Sequence, residues 1–304
     1  MKTLLLNPVV QQALEKGQAI VALESTVITH GLPYPQNRDT ALAMEAQVRA
    51  AGAQPATICL IDGHIHVGID EAQMERIATG QGAIKVSRRN IAATMVAGHD
   101  GGTTVGGTME IAYKAGIRVF ATGGIGGVHR GNLTDVSSDL PTLAQVPLVV
   151  VCSGAKAILD LAATREYLET SGVPVLGYQC DDLPAFYSTS SALPVDDRVE
   201  SAEQVARIAL AHWEFGLRSA ILVTVPPPSE LAIPAEEIEV SIRIAMDEAL
   251  TKGVKGAEVT PFLLARVSQH SSERSMRVNI ALLKNNAHIA GLIALELAAL
   301  TGKS

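Results

Sequence analysis

Cysteine is scarce in this chain, with three in 304 residues. So sparse and odd a set excludes a disulfide framework, and Cys59 and Cys152, inside apolar runs, read as buried free thiols of a reducing cytosol. Positive charge is also short. Lys and Arg number 24 against 31 Asp and Glu, a formal charge of −7, which excludes a general nucleic-acid binder. Only local basic spots such as Lys85-Val-Ser-Arg-Arg89 suit a phosphate. Long apolar runs are absent: stretches such as Val146 to Cys152 fall far below the ~18 residues of a membrane span. The Leu4-Leu-Leu6 run is too short for the apolar region of a leader. Low-complexity segments and repeats with periods of about 20–50 residues are missing too. A cytoplasmic protein with no membrane and no nucleic-acid partner is the expectation.

What is present is the composition of a globular protein with a sizeable core, 47 % hydrophobic and 18 % charged. Short β-branched runs alternate with longer amphipathic segments. The patterning predicts strands over Ala19–Leu23, Ile84–Ser87, Arg118–Thr122, Leu148–Cys152, Val173–Tyr178 and Ser219–Val223. It also predicts a hairpin of Thr57–Ile61 with His64–Val67 around Asp62-Gly63. Helices are expected over 37–51, 69–78, 91–97, 108–115, 155–171, 202–215, 236–252, 261–269 and 275–300. Repeated strand–helix units imply an α/β fold, a single-domain α/β/α sandwich over residues 1–304 with a mostly parallel central sheet. Gly177 to Pro194 is irregular, carries Phe186 and Tyr187, and reads as a functional flap. The last helix is apolar around most of its circumference and needs burial in the core or against another subunit.

The densest chemistry follows the Ile117–Phe120 run. Ala121-Thr-Gly-Gly-Ile-Gly-Gly-Val-His-Arg-Gly131 puts glycines where a buried strand ends, and exposed backbone N–H groups there suit an anion, usually phosphate. His129 and Arg130 add cationic donors. Asp135, Asp139 and Lys156 follow within ~40 residues, so a cradle, a metal or acid group and a nucleophilic amine gather at the carboxyl end of a sheet. A dinucleotide fingerprint is excluded, because His129 stands where the third glycine belongs and a polar loop replaces the helix. The competing reading is a glycine-rich turn beside an ordinary surface lysine.

Other motifs carry less. Glu24 follows the first of these strands and precedes His30, Gly31 and a proline-shaped loop, a setting for a general acid or base; Ser25 or Thr26 as a helix N-cap is the alternative. Lys156 stands at a strand–helix junction, where apolar neighbours favour Schiff-base chemistry. His64 and His66 share one strand face, read as an exposed hairpin face rather than a metal site. Thr104-Val-Gly-Gly-Thr108 offers hydroxyls and backbone donors at a helix start. Asn279, Asn285 and Asn286 read as solvated positions of the last helix.

With these residues assembled, the chain resembles the pseudouridine-5′-phosphate glycosidase family, also called indigoidine-synthase-A-like. The matching stretches are Ala22 to Asn37, Lys85 to Arg89, Thr122 to Gly131, Cys152 to Asp160, Gly172 to Tyr178, Thr260 to Leu264 and Asn279 to Ala287. The resemblance implies reversible cleavage of the C–C glycosidic bond of pseudouridine 5′-phosphate to uracil and ribose 5-phosphate. It implies Glu24 as proton donor and Lys156 as the lysine that bonds the sugar C1′. Asp135 matches the family's manganese carboxylate, with oxygen ligation also suiting Mg²⁺. Ser137, Ser138 and Asp139 match the following substrate segment, and Lys85, Val105, Thr122, His129 and Asn279 match substrate or phosphate contacts. A homotrimer is implied as well. The loop from His129 to Asp135 is about two residues shorter than the family pattern, and Val223-Thr-Val-Pro-Pro-Pro228 replaces an Asn-Pro-x-Pro turn. On the residues alone, a metal-dependent phosphosugar hydrolase or aldolase and a non-catalytic sugar-phosphate sensor stay open.

Overall fold

A computed structural model describes residues 4–254 and 259–302. Its strands are β1 (Leu4–Leu6), β2 (Ile20–Leu23), β3 (Gln54–Ile61), β4 (His64–Val67), β5 (Ile84–Val86), β6 (Gly101–Thr103), β7 (Val119–Ala121), β8 (Val128–His129), β9 (Asn132–Val136), β10 (Val149–Cys152), β11 (Leu159–Asp160), β12 (Val175–Tyr178), β13 (Asp197–Val199) and β14 (Ile221–Thr224). The main sheet runs β1-β4-β3-β2-β7-β10-β14-β12-β13, with β6 and β5 attached through β3. Every pairing from β3 to β13 along this path is parallel. Only β4 and β6 meet β3 antiparallel. This is the α/β/α sandwich with a mostly parallel sheet that the alternation implies.

The central strands β2, β7, β10 and β14 are buried at every position, which is why they read as continuous apolar runs. The last helix, Arg274–Thr301, lies against β2, β7 and β10 and against the helices Gln36–Ala50 and Ala202–Glu214. It is long and apolar enough to cross a membrane, but residues such as Leu282, Leu283 and Ile293 are buried in the core, so its composition reflects packing.

Several boundaries differ from expectation for local reasons. The helix expected over 155–171 begins only at Leu161, because Asp160 caps it by accepting from Ala163 N at 2.9 Å. Residues ahead of it instead form β11, which pairs with β8, and the supposed polar loop after His129 is β9 of the same small sheet. Lys156 therefore sits in an irregular segment, not on a helix. The helix expected from Thr108 starts at Val105, since Thr104 Oγ1 accepts from Gly107 N at 3.3 Å. Leu4–Leu6 forms β1 and pairs with β4, so the hairpin is flanked rather than free at its edge. His64 is exposed and His66 half-buried.

Candidate active site

Three adjacent strands end side by side here. Glu24 follows β2, Thr122 follows β7, and the Ser153–Lys156 segment follows β10, with Leu23 opposite Ala121 and Ala121 opposite Val151. Glu24 is 7 % exposed, and Thr122 Oγ1 donates a hydrogen bond to its Oε1. Burial pushes the Glu24 carboxyl above its ordinary value, against the opposing pull of Lys156, Thr122 and Lys85. The shift is in the direction that a proton donor requires. Burial and the charge of Lys156 push Lys85 down, and burial does the same to His30. Neither Ser25 nor Thr26 caps a helix. Ser25 Oγ donates to the Ile58 carbonyl, and Thr26 precedes a π-helical turn, Val27–Gly31, without a capping bond.

Glu24, Thr26, Lys85, Lys156 and Thr260 line both of two abutting cavities. The larger, about 290 Å³, is the more polar of the two and includes Arg89, Thr104, His129, Ser137, Ser138 and Asp139. Val105 lines it too, from the first turn of its helix. The smaller, about 60 Å³, is more apolar and is bounded by Val27, His30, Phe186, Pro261, Leu264 and Asn279. The irregular Gly177–Pro194 stretch thus delivers Phe186 into the lining. Phe186 holds φ +63, an unusual setting for a bulky residue. The sequence-predicted Glu24, Lys85, Val105, Thr122, His129, Ser137, Ser138, Asp139, Lys156 and Asn279 all lie around these cavities or, for Thr122, directly on Glu24.

Two amides of the glycine loop are engaged within the protein rather than open to an anion. Gly126 N donates to Asp139 Oδ2 at 2.9 Å and Ile125 N to the Gly154 carbonyl at 3.1 Å, so these amides are occupied within the protein. Glycine is required for close approach. A Cβ on Gly124 would lie 2.6 Å from the Phe186 ring, and one on Gly126 would lie 2.2 Å from Ser137 Oγ. Asp139 is 5 % exposed, and its other oxygen accepts from Gly106 N at 2.8 Å. It lines the polar cavity while tying the glycine loop to the helix start. Arg130 is turned away from the cradle and grips carbonyls near Lys156.

Asn286 is a correction of another kind. Read as solvated, it is fully buried. Its amide donates to the Thr122 carbonyl at 2.9 Å and bonds Ser153 Oγ, so it joins the ends of β7 and β10. The last helix is apolar around most of its circumference, so no periodicity in the sequence marks this asparagine as buried. In place of the Asn-Pro-x-Pro turn, Val225 is buried and its N–H bonds the Cys152 carbonyl at 2.8 Å.

Asp135 is exposed on β9, its Oδ1 3.4 Å from His129 Nδ1. Among the described residues, no group of three or more His, Cys, Asp or Glu side chains is placed to hold a metal. One exposed carboxylate fits a largely hydrated hard cation such as Mn²⁺ or Mg²⁺, not a closed protein cage.

Residues 9–296 match the family model described as indigoidine synthase A like protein. A pseudouridine-5′-phosphate glycosidase of Herpetosiphon aurantiacus is 51 % identical over 98 % of this chain and 99 % of its own. That of Escherichia coli K12 is 47 % identical over 98 % and 96 %. Among solved structures, the prealnumycin C-glycosynthase AlnA in complex with ribulose 5-phosphate is 37 % identical, with a TM-score of 0.92 and both chains fully covered. An indigoidine synthase A-like protein of Thermotoga maritima is also 37 % identical, with a TM-score of 0.88 over 93 % of this chain and 94 % of its own.

Proposed function

The chain belongs to the indigoidine synthase A-like family as an enzyme, and from that premise we propose that it reversibly cleaves the C–C glycosidic bond of pseudouridine 5′-phosphate, giving uracil and ribose 5-phosphate. One observation carries this reading: Glu24, a buried carboxyl whose pKa burial raises, stands at the junction of a polar and an apolar cavity, with Lys156 lining the same junction. The polar cavity takes the ribose phosphate on Lys85, His129, Ser137 and Ser138. The apolar one takes the uracil ring beside Phe186 and Asn279. The AlnA neighbour supports C–C glycoside chemistry and a sugar-phosphate ligand.

A base attached through carbon cannot leave by protonation of a ring nitrogen, so covalent assistance is chemically motivated. Glu24 gives its proton to the ribose ring oxygen, and the C1′–O bond opens. The Lys156 amine adds to C1′ and loses a proton. The C1′–C5 bond then breaks, its electron pair takes a proton at uracil C5, and C1′ remains as an imine on Lys156. Water hydrolyses that imine to free ribose 5-phosphate and restores the amine. Asp135 would hold the Mn²⁺ or Mg²⁺, which supplies charge neutralisation beside the substrate. Three free cysteines accord with a reducing cytoplasm, and the implied trimer belongs to the same reading, checked by sedimentation.

The deciding assay incubates the enzyme with pseudouridine 5′-phosphate and a divalent metal and follows uracil. Release of uracil supports the reading. Release of inorganic phosphate without uracil, or binding without any product, refutes it.

A further inference from the structure

Arg130 stands beside the glycine loop, yet its guanidinium serves another segment. Its Nε donates to the Leu159 carbonyl at 3.1 Å and its Nη2 to the Ala157 carbonyl at 2.8 Å. The same group meets Glu239 with Nη1 to Oε1 at 2.7 Å and Nη2 to Oε2 at 3.1 Å. Both side chains are largely covered, at 23 % and 31 % exposure. Glu239 belongs to the helix Ala235–Thr251, which packs on the helix Val259–His270. The latter brings Thr260, Pro261 and Leu264 to the apolar cavity.

The segment so gripped begins at Lys156. It is not helical, and its other ties are few: Lys156 N to the Ile125 carbonyl at 3.1 Å, Leu159 N to the Lys156 carbonyl at 2.9 Å, and the β8–β11 pairing of Leu159 with His129. A short irregular loop would let a lysine side chain wander, and misplacement by an ångström costs a reaction heavily. We propose that Arg130, with Glu239 as its counter-ion, is a positioning residue for Lys156: it fixes the 157–159 backbone and ties that loop to the helix Ala235–Thr251, which packs on the helix lining the apolar cavity. A planar fork reaching two carbonyls and one carboxylate at once needs arginine, since a lysine ammonium cannot span them.

This inference rests on the lysine reading above, and the experiment separates the two. Wild-type enzyme is first reduced with borohydride in the presence of ribose 5-phosphate. Arg130→Met is expected to slow adduct formation and lower kcat about 10–100-fold, with KM and ribose 5-phosphate affinity near wild type. The paired exchange Arg130→Glu with Glu239→Arg is expected not to restore kcat, because a carboxylate at 130 cannot donate to the carbonyls. Wild-type kcat in a folded Arg130→Met, or full recovery in the exchange, overturns the proposal. Should Arg130→Met not fold, Arg130→Lys replaces it with the same expected split between kcat and KM, and wild-type kcat there overturns it equally. A wild type that turns over but forms no adduct sinks the lysine reading, while the kcat–KM split of the Arg130 variants still decides the positioning role.

Discussion

Thr122 donates its hydroxyl proton to Glu24 across the β2–β7 pairing, so the buried acid is held by the end of the neighbouring strand. Glu24→Gln is expected to lower kcat about 10²–10⁴-fold while ribose 5-phosphate still binds. If Glu24 is the proton donor, its acid form is the active one, and because burial raises its pKa, kcat should fall as pH rises through that raised value. Thr122→Val removes a bond that favours the carboxylate, so this limb should move to higher pH. The pH–rate profiles of the two variants are the measurement.

The same shift links to stability. The folded pKa lies above the ordinary 4.5, so the contribution of Glu24 is fully present below that value and is lost as pH climbs through the raised folded one. Urea midpoints of Glu24→Gln should lack this decline, and parallel pH dependences in both proteins would contradict it.

Asn286→Ala leaves the Thr122 carbonyl and Ser153 Oγ without a buried partner. A loss of about 1–3 kcal/mol is expected for each such group. It should appear as a lower urea midpoint, together with reduced kcat, because Thr122 also holds Glu24. An unchanged midpoint would mean that the amide is dispensable.

Gly124→Ala should displace the Phe186 ring and cost about 1–3 kcal/mol by overpacking. Adding Phe186→Leu should recover part of the stability, measured by thermal unfolding. No recovery would place the conflict at the Gly154 carbonyl, 3.0 Å from the same Cβ position.

If Asp135 holds a hydrated divalent ion, chelator should abolish turnover and leave the melting temperature unchanged, since the core is independent of the ion. Asp135→Asn should behave alike, with Mn²⁺ restoring activity poorly. Full activity of Asp135→Asn in chelator would remove the metal from the mechanism.

The sheet is legible because β2, β7, β10 and β14 are apolar apart from Thr224 at the end of β14, and Glu24 and Lys156 stand out as polar residues just past strand ends. The small sheet is not. β9, Asn132–Val136, is exposed at four of its five positions, so no apolar period marks it. The apolar pattern of 155–171 runs through Asp160 and so puts Lys156 on a helix, since only the backbone bond to Ala163 reveals the cap. The partners of Arg130, the Ala157 and Leu159 carbonyls and Glu239, have no signature in side-chain order. Three asparagines on one helix cannot be ranked without knowing which face is buried.

The tie from Asn286 to β7 and β10 also bears on biosynthesis. Residues 24, 122 and 156 can come together only once the parallel strands have paired, and the amide that fixes two of those strand ends sits at position 286 of 304. A chain still emerging from the ribosome therefore carries its acid and its lysine without the frame that aligns them. With Lys156 as the proposed nucleophile, reactivity toward sugar aldehydes is expected only once the final helix is in place.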